Sequence, residues 1–463
     1  MILRYTIFLL ATLSLSISAG EYSRYINQID NVVTMANVDM KFTGAALIAD
    51  KDEIYYQQAF GYANENKQTK LTDRHQFSTG SISKEFTTIA LMMLVEQDKI
   101  QYADNIAQYL PTLPSWASTI TIEQLLSHTS GLPPIKWQHN INSPMVIEQL
   151  MHVTSLNFPP GEGYQYGNLN VILRALIIEK ITAQSFPAFM QEHLFAPAGM
   201  KNTHNRLNVE DKNPSVLVEE YNSAILGVSF YSTPFDLYQW QKALWSYKFV
   251  SRQAMNKALS EHTLHPVPHQ YYFDFGSFKA NDNKELISTS HNGSFFDHHA
   301  IKVVDLRKNI TAILMSNDGR KVTLYELSDY ILNANLYSAG QIPASWWLTH
   351  QINQFGIDKA LINYQISIKQ NNKLISQEST LNKLGYSYSA SHLEYGVALM
   401  KLNTELYPKS ANTYDSYAEL LIKSEQYQTA RQVIEQGLVI AKKEHNSALV
   451  MSLSNLMKNV PKL

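Results

Sequence analysis

The chain is 463 residues long and 45% hydrophobic, with 38 Lys and Arg against 40 Asp and Glu and no cysteine. That length predicts two or three domains with room for a large core. The near-neutral balance offers no basic face for nucleic acid, and the lack of cysteine excludes disulfides, thiolate metal sites and a lipidated N-terminal cysteine.

Residues 1–20, MILRYTIFLLATLSLSISAG, carry one basic residue, Arg4, then an apolar run from Tyr5 to Ile17 and small residues at Ser18, Ala19 and Gly20. This reads as a secretory signal peptide cleaved near Ala19 or Gly20. The run is shorter than the ~20 apolar residues of a spanning helix. The expectation is an exported protein, periplasmic or secreted, with no stable membrane anchor after cleavage.

Residues 42–62, FTGAALIADKDEIYYQQAFGY, predict two strands joined by a turn at Asp50 to Asp52. A mainly helical region follows from Ser81 to about residue 260, with helices over TIEQLLSH, MVIEQLMH, LNVILRALIIEKI and STPFDLYQWQKALW and loops at GLPPIKW and FPPGEGY. Strand patterns return at YYFDFGSF, ELISTS, HAIKVVD and NITAILMSN, before the helical stretch VTLYELSDYILNANLY. Strands at both ends with helices between them predict an α+β domain, an antiparallel sheet flanked by helices with a helical subdomain grown from its middle.

After Ile342 the chain reads as helix after helix. Residues 411–442 put Tyr414, Tyr417, Ala418, Leu421, Ala430, Ile434 and Gly437 near the key positions of a 34-residue helix-turn-helix repeat, and one period before Lys442 stands Pro408. The region is similar to tetratricopeptide repeats, with a degenerate unit before this one in LNKLGYSYSASHLEYGVALMKLNTELYP and a closing helix after it. The expected division is a signal peptide over 1–20, a catalytic domain over 21–340 and an all-α, repeat-like domain over 345–463.

Three short motifs carry chemistry. In FSTGSISKEF, Ser81 and Lys84 stand one helical turn apart, so hydroxyl and amine can lie side by side. Low solvent access and the positive end of a helix disfavour an ammonium there, which favours an amine able to take the serine's proton. The Ser81 N–H at the helix start is placed to stabilise an oxyanion. YQYGNLN, residues 164–170, sets Tyr166 and Asn168 in a loop before a helix, and LISTSHNGSF ends a strand with His291, Asn292 and Gly293. The His128-Thr129-Ser130-Gly131 run reads as a helix-ending turn at Gly131. His291, Asp297, His298 and His299 do not make a metal site, since adjacent residues on a strand point to opposite faces. No metal and no cofactor is expected.

In this order SISK at 81, YGN at 166 and HNG at 291 resemble the serine β-lactamase and penicillin-binding protein superfamily, most closely its class C β-lactamase-like branch, which carries S-x-x-K, Y-x-N and K-T-G or H-x-G. The resemblance covers about residues 25–335 and implies a β-lactamase/transpeptidase-like fold. It implies Ser81 as nucleophile, Lys84 as its base, Tyr166 as proton shuttle to the leaving group and activator of water, and Asn168 as orienter of Lys84 and the substrate amide. His291 would stand where the family has a lysine, within a binding strand that includes Asn292 and Gly293, and the Ser294 N–H would complete the oxyanion hole. A histidine there weakens recognition of a substrate carboxylate, and SFFDHHA lacks the glycine usual after the third motif.

The expected function is an exported serine hydrolase working through an acyl-enzyme on Ser81, with an ester, a small amide or D-amino-acid peptide, or a β-lactam as substrate. The rival is a catalytically weak or inactive hydrolase fold that senses a ligand and recruits partners through the repeats. Expected partners are a small-molecule or peptide substrate and, at the repeat-like region, a protein or peptide.

Overall fold

The computed structural model describes residues 42–461 apart from 64–66, 139–140, 206–224, 229, 282, 296–297, 308, 318–323, 325–326, 329–341, 371–373 and 390–391. The expected signal peptide, Asp297 and most of the helix expected over 322–337 lie outside the described residues. The chain falls into two compact units, Phe42–Leu332 and Asn333–Leu463.

The first unit begins with the expected hairpin, β1 (Gly44–Ala49) and β2 (Ile54–Phe60). Asp50 forms its turn, accepting from the N–H groups of Asp52 at 2.7 Å and Glu53 at 2.8 Å. There follow β3 (Phe77–Ser78), helices α1 (Ser83–Glu96), α2 (Ile122–Leu126), α3 (Ser143–Met151) and α4 (Asn168–Thr182), and strands β4 (His204–Asn205) and β5 (Phe230–Ser232). Helix α5 (Pro234–Trp245) and strands β6 (Ser277–Ala280), β7 (Leu286–Phe295), β8 (His298–Asp305) and β9 (Ile310–Ser316) come next, with short helices over Phe186–Ala198 and Arg252–Ala258 between the longer elements.

Six strands form one antiparallel sheet in the order β2-β1-β9-β8-β7-β6, with Gly44 opposite Ser316, so the N-terminal hairpin and the last strand of the sheet lie side by side. Strands β1, β8 and β9 are buried at every position, which requires cover on both faces. Leu47 and Ile313 of the sheet share one apolar cluster with Ile89, Leu125, Ile172 and Trp240 of the helices, so the inserted helices have no separate core. Side chains start these helices: Thr121 and Gln124 make a capping box at α2, Asn142 caps α3, and Thr233 caps α5 ahead of Pro234. Helix α1 has no side-chain cap.

One expected strand is corrected. YYFDFGSF is extended only from Ser277 onward. Before it the chain folds back, Tyr271 N–H donating to Gly276 O at 3.0 Å and Phe275 N–H to Phe273 O at 2.7 Å. Tyr271, Phe273 and Phe275 still bury their rings in the core, which is why the alternation looked like a strand. This bend places Asp274 in the interior.

The second unit holds a two-residue parallel pair, β10 (Ile342–Pro343) with β11 (Leu374–Ile375), and is otherwise all helical. Its helices are α6 (Ala344–Phe355), α7 (Ile357–Lys369), α8 (Glu378–Ser389), α9 (Leu393–Leu406), α10 (Ala411–Lys423), α11 (Tyr427–Lys443) and α12 (Ser447–Lys458). Leu393 and Tyr427, the first residues of α9 and α11, stand 34 positions apart. Tyr414, Tyr417, Ala418, Leu421, Ala430, Ile434 and Gly437 are all buried, as hairpins of a tetratricopeptide-like region require. The hairpin α6–α7 falls within the stretch expected to be helical after Ile342.

Candidate active site

Ser81 lies in a 3-10 turn, Gly80–Ile82, that runs straight into α1. The turn is pinned from two sides. Thr79 N–H donates to Phe230 O at 2.9 Å, continuing the pairing of β3 with β5, and Ser83 Oγ donates to Gly80 O at 2.7 Å and Val228 O at 3.1 Å. On the other side the turn touches the backbone of β7. A Cβ at Gly293 would stand 1.9 Å from Thr79 O and 2.8 Å from Ser81 N, and one at Gly80, whose φ is +49°, would stand 2.4 Å from Ser294 N. Only glycine fits at these two positions, and the contact sets the amides of Ser81 and Ser294 beside the same turn. Gly293→Ala is therefore expected to destabilise the first unit by about 1–3 kcal/mol and to lower turnover, because backbone has to give way; thermal unfolding and ester hydrolysis check both.

Lys84 is 2% exposed in the first turn of α1, with Nζ 3.2 Å from Ser81 Oγ. No carboxylate among the described residues pairs with it; its other contact is the Tyr166 ring, 4.8 Å from Nζ to centroid. Tyr166 is 45% exposed on the loop before α4, and its hydroxyl lies 2.6 Å from Ser81 Oγ. The structure thus brings Ser81, Lys84 and Tyr166 together across 85 residues of sequence. Asn168 is the first residue of α4, not a loop residue, and its Oδ1 is buried without a hydrogen-bond partner among the described residues. Asn292 is exposed on β7, while Ser294 is half-buried.

Behind α1 lies a charge cluster that sequence reading missed. Glu85 is fully buried, and Lys302 Nζ (2.6 Å) and Trp240 Nε1 (2.8 Å) donate to its Oε2. His291 Nδ1 lies 2.7 Å from Oε1, which leaves only Nε2 of that ring to meet anything else. His291 and Lys302 are direct cross-strand partners in β7 and β8, so both reach the same carboxylate. Burial opposes ionisation of Glu85, but the Lys302 charge and the His291 hydrogen bond outweigh it and bring its pKa down to about 2. The signal was present in HAIKVVD: a lysine in an otherwise apolar strand needs a buried partner.

A second buried network underlies Tyr166. His128 Nε2 lies 2.8 Å from Asp274 Oδ1, and Arg174, wholly buried, places NH1 2.6 Å from Asp274 Oδ2. Burial works against the charged form of Asp274, yet His128 and the Arg174 guanidinium hold its carboxyl well below the usual carboxylate range. Burial also pushes the His128 imidazole below its ordinary value, against the pull of Asp274. The expected helix-ending turn is also corrected: α2 ends at Leu126, and His128 itself is left-handed, with φ +55°, ahead of Gly131 at +77°. Among the described residues no group of His, Asp and Glu is arranged to hold a metal ion.

An antiparallel sheet with inserted helices, and a serine, lysine and tyrosine gathered where the first of those helices begins, define a protein of β-lactamase/transpeptidase fold. A penicillin-binding protein of Bacillus subtilis (strain 168) is 29% identical over 344 residues, 66% of this chain and 75% of the relative. Among solved structures, a class C β-lactamase superposes with a TM-score of 0.58 at 14% identity, over 69% of this chain and 98% of that one. A D-amino acid amidase from Ochrobactrum anthropi SV3 does so with a TM-score of 0.55 at 19% identity, over 67% and 99%. At these identities the two structures speak for the fold. The family model described as Beta-lactamase matches residues 34–327, and the chain belongs to that family.

Proposed function

We propose that this chain is an exported serine hydrolase that acylates Ser81 and then hydrolyses the acyl-enzyme. The observation that carries the reading is the double approach to Ser81 Oγ, by Lys84 Nζ at 3.2 Å and by the Tyr166 hydroxyl at 2.6 Å. Lys84, buried with Nζ 3.2 Å from Ser81 Oγ, serves as the base that accepts the serine proton as Oγ bonds to the substrate carbonyl. The Ser81 and Ser294 amides, beside the same turn, donate to the oxyanion. Tyr166, 45% exposed and touching Lys84 through its ring, passes the proton to the departing alcohol or amine. In the second half Tyr166 takes a proton from water while handing its own to Lys84 as that water adds to the acyl carbon, and the proton returns to Ser81 Oγ as it is released. Asn168, whose amide oxygen has no partner among the described residues, not even Lys84, is left to orient the substrate amide.

The substrate class is an ester, a small amide or D-amino-acid peptide, or a β-lactam. The family supports it, as do a relative named for binding penicillin and a fold neighbour named for acting on D-amino acid amides. His291, held by Glu85, takes the place of a third-motif lysine beside the bound substrate. The helical hairpins of the second unit provide a surface for a protein or peptide partner. Tyr166→Phe tests the mechanism: kcat is expected to fall about 10²–10⁴-fold with the fold intact, since the ring stays and only an exposed hydroxyl is lost. Near wild-type turnover would remove Tyr166 from the reaction.

A further inference from the structure

His128 makes more contacts to the tyrosine loop than a turn residue needs. Its carbonyl accepts from Gln165 N–H at 2.9 Å, its Nδ1 lies 3.4 Å from Gly167 N, and its ring packs on the Tyr166 ring with centroids 4.8 Å apart. Three consecutive loop residues are thus held by one side chain and its own carbonyl. The hydrogen bonds also fix the ring. Ser130 Oγ donates to Asn170 Oδ1 at 2.6 Å, which turns the Asn170 Nδ2 toward His128 Nδ1 at 3.0 Å. Nδ1 is therefore an acceptor, and Nε2 carries the hydrogen that Asp274 accepts.

Asp274 is anchored in turn by Arg174, whose NH2 donates to Leu125 O at 2.6 Å and whose NH1 reaches Thr88 Oγ1 at 3.2 Å. Thr88 lies on α1, the helix that carries Lys84 and follows Ser81. A buried chain therefore runs from the nucleophile's helix through Arg174, its ion pair with Asp274 and the Asp274–His128 hydrogen bond to the loop that carries Tyr166. His128 does this from a left-handed backbone conformation that a glycine would adopt without strain.

We propose that His128 is the positioning residue that holds the Tyr166 hydroxyl against Ser81, through the buried chain His128–Asp274–Arg174 tied to α1. This rests on the reading of Tyr166 as proton shuttle. His128 does not touch the substrate; it sets where Tyr166 stands, and a small displacement of a proton-transfer group costs rate without costing binding.

The test is a double-mutant cycle on p-nitrophenyl acetate hydrolysis with wild type, His128→Asn, Tyr166→Phe and the double variant of the full chain. Asparagine tolerates the left-handed conformation but is too short to span Asp274 and the loop. For the folded single variant kcat is expected to fall about 10–100-fold with KM within about 3-fold of wild type. In the Tyr166→Phe background the same substitution is expected to change kcat by less than about 3-fold, because the group it positions is gone. Should His128→Asn not fold, Asp274→Asn carries the same cycle with the same expectation. Independent, multiplying effects overturn the proposal, as does wild-type kcat in either folded single variant. Undiminished turnover in Tyr166→Phe alone would instead overturn the mechanism on which it rests, and this proposal with it.

Discussion

Ser81→Ala is expected to lower ester turnover by about 10⁴-fold or more, to the residual rate that binding and oxyanion donors alone supply. The substitution removes the atom that both Lys84 and Tyr166 approach. It leaves the turn itself in place, because that turn is held by Thr79 N–H on Phe230 O and by Ser83 Oγ on Gly80 O, neither of which involves the Ser81 side chain. Thermal unfolding should therefore match wild type while p-nitrophenyl ester hydrolysis drops to near background. Retained turnover in the folded variant would mean that the chemistry is carried elsewhere.

Glu85→Ala has the largest expected effect on stability, about 3–5 kcal/mol, because it leaves Lys302 as a buried charge with no counter-ion and strips His291 Nδ1 and Trp240 Nε1 of their acceptor. Glu85→Gln keeps an acceptor and should cost less. The pH dependence has a definite sign. The folded pKa of Glu85, about 2, lies below its ordinary 4.5, so its contribution is complete above about pH 4.5 and is lost as pH falls from there toward 2. Wild-type melting temperature should fall through that window, and Glu85→Gln should show a shallower fall. A Glu85→Ala protein as stable as wild type at pH 7 would show that the cluster contributes nothing to the fold.

The sheet, the helical insertion and the three short motifs that mark the family were legible because each rests on local sequence. Runs of apolar and aromatic residues on either side of a turn mark β1 and β2, an i, i+3 offset joins Ser81 to Lys84, and a glycine stands where β7 meets the Ser81 turn. The buried networks were not legible, because their members are far apart in sequence and no spacing rule connects Glu85 to Lys302 or His128 to Asp274. Each left a trace all the same: Arg174 interrupts the apolar run LNVILRALII, Lys302 interrupts HAIKVVD, and Asp274 breaks an aromatic alternation. A charge in such surroundings is too costly to leave unpaired, so it announces a partner without naming it. YYFDFGSF misled for a related reason. Its aromatic residues report burial, and burial alone does not tell a strand from a bend packed into the core.

The most direct measurement is the intact mass of the folded protein after reaction with a fluorophosphonate, alongside Ser81→Ala treated identically. An activated serine at this site gives a single adduct on the wild type, mapped to Ser81, and none on the variant. A folded wild type that takes no adduct, or takes it equally with Ser81→Ala, would contradict the assignment of Ser81 as the nucleophile.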